Sequence, residues 1–129
     1  MAQNKPQRPL SPHMSIWKWE IHAITSIFHR ITGDGMALLG LPMLVWWLYA
    51  VSAGPEAYET FHGFASSWVG MIVLIGLTYA FFQHLGSGLR HFVMDVGAGY
   101  QVDTARTTAF SVFVFAIIAT AAFWLFLFR

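Results

Sequence analysis

The run "TTAFSVFVFAIIATAAFWLFLF", Thr107 to Phe128, contains no ionisable side chain. A helix needs roughly 20 mostly apolar residues to cross a hydrocarbon core, and this run supplies them. Two other stretches pass the same test. One runs from about Ile31 to Ala53 and contains "MALLGLPMLVWWLYAVSA". The other, about residues 65–89, lies inside Thr60 to Leu89, which carries no Asp, Glu, Lys or Arg. The pattern predicts an all-α integral membrane protein of three transmembrane helices, spans about 31–53, 65–89 and 107–128. Connections are short and no repeat is visible, so residues 1–129 are expected to form a single domain. Gly40 and Pro42 fall inside the first span, where neighbouring groups can satisfy freed backbone atoms, and they predict a kink rather than a break.

Composition agrees with a lipid setting. The 129 residues are 57% hydrophobic, 17% aromatic and only 10% charged. There is no cysteine, which excludes a disulfide framework, a thiolate zinc site and a cysteine-held iron–sulfur cluster within the chain. Any metal has to be held by His, Met or carboxylates. The net charge is +1 with no Lys/Arg run, so nucleic acid is not an expected partner.

The leading "MAQNKPQRPLSPHMS" has neither the apolar core of a secretory signal nor the Arg/Ser-rich pattern of a transit peptide. Residues 1–14 are expected to be a cytoplasmic arm. Next, "SIWKWEIHAITSIFHR" places Lys18, Glu20 and His22 among apolar residues at a helical rhythm, predicting a short interfacial helix ahead of the first span. Lys5, Arg8, Lys18 and Arg30 precede that span and Arg90 and Arg106 follow the second, whereas the intervening "GPEAYETFHG" has no Lys or Arg. By the positive-inside rule the N-terminus and the Arg90–Arg106 connection face the cytoplasm and Arg129 lies opposite. Trp17, Trp19, Trp46, Trp47 and Trp68 near the span ends suit an interfacial aromatic belt.

Ionisable side chains inside a span are costly and mark a functional site by default. They gather at one end: His29 and Arg30 at the entrance of the first span, and His84, Arg90, His91 and Asp95 in "QHLGSGLRHFVMD" at the exit of the second. His84 precedes Arg90 by six positions, which is about 9 Å deeper at ~1.5 Å per residue. Positions 84, 88 and 91 share a helix face, and Gly88 leaves room there for a flat macrocycle. A neutral imidazole as axial iron ligand, with His29, Arg30, Arg90 and His91 one layer nearer water for the propionates, would suit a haem. The other reading of His84 is a structural one, a bond across helices to Ser, Thr or a backbone carbonyl. For His91, nearer the interface, the structural reading is favoured. No second axial ligand at the depth of His84 is evident, so a haem would need one from another chain.

Ser26, His29 and Arg30 are spaced to share a face at the membrane surface. A hydroxyl and a guanidinium there can donate hydrogen bonds to a carbonyl oxygen of a quinone headgroup and stabilise negative charge developing on it. Alternatively Arg30 snorkels to lipid phosphate and Ser26 bonds its own helix. Asp34, four residues after Arg30, permits a competing intrahelical ion pair.

At "RPLSPHMSIW", "SIFHRITG" and "HLGSGLRHFVMDVG" the chain resembles the cytochrome b membrane-anchor family of succinate dehydrogenase, respiratory complex II, with the motifs and three spans in the same order. The resemblance implies half of a heterodimeric haem-binding helix bundle. In it His84 would be an axial ligand of a single haem b shared with the second membrane-anchor subunit, and Ser26 and Arg30 would line a ubiquinone pocket. His29, Arg30 and His91 would neighbour the haem propionates, and Asp95 would be a candidate for proton delivery. It further implies a heterotetramer with an iron–sulfur subunit and a flavoprotein subunit that oxidises succinate, in the bacterial inner membrane with the C-terminus periplasmic. Asp34 departs from the apolar residue expected at its position. A haem-free structural anchor and a fumarate reductase anchor are the alternatives. A proton-conducting transporter subunit is disfavoured by the absence of ionisable groups from the third span.

Overall fold

The structure is a computed structural model that describes residues 12–129; most of the arm expected over residues 1–14 lies outside the described residues. A short helix, α1 (His13–Ile16), and an extended turn lead into α2 (Ile21–Gly35). A π-helical segment, Met36–Gly40, joins α2 to α3 (Leu41–Ala53). Then come α4 (Pro55–Ala65), α5 (Trp68–Asp95) and α6 (Val102–Leu127).

Among the described residues, three helices are long and apolar enough to cross a membrane: Ile21–Ala53, Trp68–Asp95 and Val102–Leu127. The first is continuous over 33 residues, so residues 21–30, expected to belong to an interfacial helix ahead of the span, are its opening turns. At ~1.5 Å per residue it is about 50 Å long against a hydrocarbon core of about 30 Å, so several turns stand in the headgroup region or the helix tilts. Pro42 explains the π segment. It has no N–H to donate and its ring crowds the carbonyl four residues back; widening the preceding turn relieves the clash. The Leu41 N–H accordingly reaches the Met36 carbonyl, five residues back. The helix continues through the proline.

The "GPEAYETFHG" connection is itself mostly helical. Gly54, at φ 107°, turns the chain, Pro55 opens α4 where its missing N–H is not needed, and Glu56 lies in the first turn. Trp46 of α3 meets Phe61 and Phe64 of α4 at ring-centroid distances of 5.2 Å. The bend into α5 is tight: Ser67 caps α5 by accepting a hydrogen bond from the Gly70 N–H at 3.1 Å. A Cβ at Gly70 would fall 2.0 Å from the Phe64 carbonyl oxygen.

α5 lies against both α2 and α6. Ala109, Val112 and Ala116 form the buried stripe of α6, and Gly86 of α5 brings that helix close to Phe115, 3.0 Å from an ideal Cβ. Small residues that let backbones approach are how helices pack in lipid, where burial of apolar surface gives no advantage. The buried polar side chains are Thr25, Thr32, Gln83, Ser87 and Thr120, whereas Leu38, Ile118 and Phe126 stand exposed. The surface is apolar and the interior partly polar. At the charged end Arg106 of α6 pairs with Glu20, just ahead of α2, at 3.0 Å.

Candidate haem and quinone site

The packing of α2 on α5 brings three histidines together. The rings of His29 and His84 stack with centroids 3.8 Å apart and planes 15° from parallel, and His91 lies 4.9 Å from His29. His84 Nδ1 is 2.9 Å from the His29 carbonyl oxygen and 3.3 Å from Thr32 Oγ1. A carbonyl offers only lone pairs, so Nδ1 carries the hydrogen and donates it. The other ring nitrogen, Nε2, then holds the free lone pair. It takes part in no hydrogen bond among the described residues. The cross-helix bond weighed for His84 is therefore present at Nδ1, and it leaves the Nε2 lone pair unused. His91 is similar, its Nδ1 donating to the Ser87 carbonyl at 2.7 Å.

No group of three or more His, Asp or Glu among the described residues is arranged to hold a metal ion. The imidazoles stack rather than converge. A group that takes one axial nitrogen from this chain and another from elsewhere fits this donor set; a metal held by this chain alone does not. His29 Nδ1 is buried without a partner among the described residues, which suits a site whose remaining polar contacts come from outside the chain.

The glycine expectations shift. A Cβ at Gly88 would be in ordinary contact, 3.8 Å from His29 Cε1, so the room at Gly88 adjoins the His29 ring. The close approach is at Gly33, where a Cβ would lie 2.9 Å from His84 Cε1. Thr32 and Gly33 carry no sequence signal of this contact beyond their place in "SIFHRITG", three and four residues after His29.

Arg90 faces α6: its Nε donates to Thr108 Oγ1 at 3.1 Å, and with Gly86 and Phe115 it lines a groove between α5 and α6. Arg30 is exposed, and neither it nor half-buried Ser26 makes a side-chain hydrogen bond or ion pair among the described residues. Thr25 and Thr32 on the same helix donate back to Ile21 and Phe28 at 2.8 and 2.7 Å. The expected competition from Asp34 is absent: that carboxylate is exposed and unpaired with Arg30. Asp95 is the exposed last residue of α5, one turn beyond His91.

Residues 4–123 match the family described as Succinate dehydrogenase/Fumarate reductase transmembrane subunit. The chain belongs to this family. The succinate dehydrogenase cytochrome b556 subunit of Paracoccus denitrificans is 35% identical over 127 residues, covering 95% of this chain and 97% of that protein. The subunit of the same name from Rickettsia felis is 34% identical, over 92% of this chain and 91% of its own length. A cytochrome b560 subunit from Reclinomonas americana is 33% identical, with 92% and 85% covered. The family is described as a transmembrane subunit, which agrees with the three long apolar helices of this chain.

Proposed function

We propose that the chain is the cytochrome b membrane-anchor subunit of a succinate:quinone oxidoreductase, with His84 Nε2 as one axial ligand of a haem b. The observation that carries this is the His84 Nδ1–H bond to the His29 carbonyl, which holds the ring in the tautomer that coordinates iron. The haem supplies a one-electron store. The second axial nitrogen belongs to a second anchor subunit, and His29, Arg30 and His91 lie on the propionate side. An iron–sulfur subunit and a succinate-oxidising flavoprotein dock at the histidine-bearing end.

Ubiquinone is the proposed acceptor, taking two electrons and two protons to become ubiquinol. Ser26 and Arg30, four residues apart with uncommitted donors, bind its headgroup while the tail stays in the bilayer. The Arg30 guanidinium stabilises charge developing on the quinone oxygen. Asp95, at the water-facing end of α5, is the candidate for proton delivery. The proposed location is the bacterial inner membrane, with the N-terminus and the 96–101 connection cytoplasmic and the C-terminus periplasmic, and residues 1–129 one anchor domain.

The test is a reduced-minus-oxidised absorption spectrum of the purified complex, wild type against His84→Ala, with all subunits verified. A b-type signal that disappears or shifts strongly in the variant is expected. A fully assembled wild-type complex without that signal refutes the haem role and leaves a haem-free anchor; an unchanged signal in the variant assigns the ligand to another residue.

A further inference from the structure

We infer that Thr32 and Gly33 of α2 form a socket that fixes both the tautomer and the rotation of the His84 imidazole, making them positioning residues for the iron ligand; this rests on the ligand reading of His84. Beyond α2's own backbone and the adjoining residues, the three heavy atoms nearest an ideal Cβ at Gly33 all belong to that ring: Cε1 at 2.9 Å, Nδ1 at 3.4 Å and Nε2 at 3.9 Å. The ring edge lies against the bare α2 backbone. One of its faces is covered by His29, stacked at 3.8 Å. Edge and face together leave little freedom for rotation about the Cβ–Cγ bond.

Thr32 adds a polar constraint. Its hydroxyl lies 2.7 Å from the Phe28 carbonyl and 3.1 Å from that of His29, both acceptors only, so its single hydrogen is used there. Toward His84 Nδ1, at 3.3 Å, Thr32 Oγ1 can then only accept. The Nδ1–H is thus shared between the His29 carbonyl and the Thr32 hydroxyl, and both acceptors enforce the tautomer that frees Nε2. Acceptors on the outer nitrogen of a ligating imidazole raise its basicity and orient its ring. A more basic ligand favours ferric over ferrous iron, so Thr32 helps hold the reduction potential down. Gly33 alone would serve helix packing equally well, but a Thr32 hydroxyl whose free lone pair meets the ligand's N–H serves the ligand.

Redox titration and low-spin ferric EPR on the assembled complex test the socket. Thr32→Val keeps shape and removes the acceptor: haem content is expected to stay at the wild-type level, because the His29 carbonyl remains, while the midpoint potential moves positive. Thr32→Ser restores the hydroxyl and is expected to restore the potential. Gly33→Ala is expected to change the EPR g-values, or to lower haem content, by displacing the ring. Should Thr32→Val not assemble, Thr32→Ala removes the hydroxyl without adding bulk and is read in the same way. Wild-type potential and g-values in both the hydroxyl-free variant and Gly33→Ala would overturn the socket. His84→Ala separates the two levels. If it loses the haem signal while the socket variants are silent, only the socket fails; if it keeps the signal, the ligand reading fails and the socket falls with it.

Discussion

Arg30 has no carboxylate or carbonyl partner among the described residues, and Ser26 four residues earlier has no side-chain hydrogen bond. Uncommitted donors on one helix face at a membrane surface are costly unless something outside the chain accepts from them. If that acceptor is the quinone carbonyl, Ser26→Ala removes a neutral hydrogen bond of about 1.5 kcal/mol and is expected to raise the KM for quinone about tenfold. Arg30→Gln removes a charged donor and is expected to lower kcat/KM for quinone by about 10- to 100-fold. Succinate oxidation measured with an artificial dye acceptor should be unchanged in both, because the flavoprotein does not need this site. At this scale the sequence points to His84, because an imidazole is rare in a span, and to Ser26, His29 and Arg30 through their spacing; of these, helix packing brings His29 and His84 together. Gly33 was not legible in the sequence, because its meaning depends on a ring 51 positions away (84 − 33) that only helix packing brings against it. Thr32 looked like any hydroxyl that bonds its own helix, which it also does.

The expected interfacial helix and the first span are one element. Nothing between Ile21 and Gly35 removes a backbone donor, so the helix that begins near Glu20 and His22 runs on into the span. The charged α4 was read as a plain connection, although Pro55 at the first turn and Glu56 behind it are helix-start signals. Its junction with α5 leads to a contrast between two glycines of one helix. Gly70→Ala would drive a methyl into the Phe64 carbonyl, which is backbone and cannot rotate away. It is expected to destabilise by about 1–3 kcal/mol or more, in the range of overpacked sites. Gly76→Ala meets nothing within 4 Å and should be neutral or slightly stabilising through helix propensity. Thermal unfolding of the two variant complexes in the same detergent checks both.

Taken whole, the molecule is polar at one end and inert through its middle. The absence of cysteine makes its orientation directly measurable. Ala98→Cys, between α5 and α6, should be labelled by a membrane-impermeant maleimide only in inside-out vesicles. Ala57→Cys, in α4, should react only in right-side-out cells, with the adduct located on this subunit in each case. The reverse pattern would invert the proposed topology.

Within α5, the sixteen positions from Trp68 to Gln83 (83 − 68 + 1) carry no Asp, Glu, His, Lys or Arg, and α6 has none after Arg106. Roughly half the thickness of the bundle is therefore insulator, and His84 stands at its edge. Protons and electrons meeting at the histidine end would enter and leave through the same aqueous phase. A quinone reduced there would be charge-balanced on the spot, and turnover would leave the voltage across the membrane untouched.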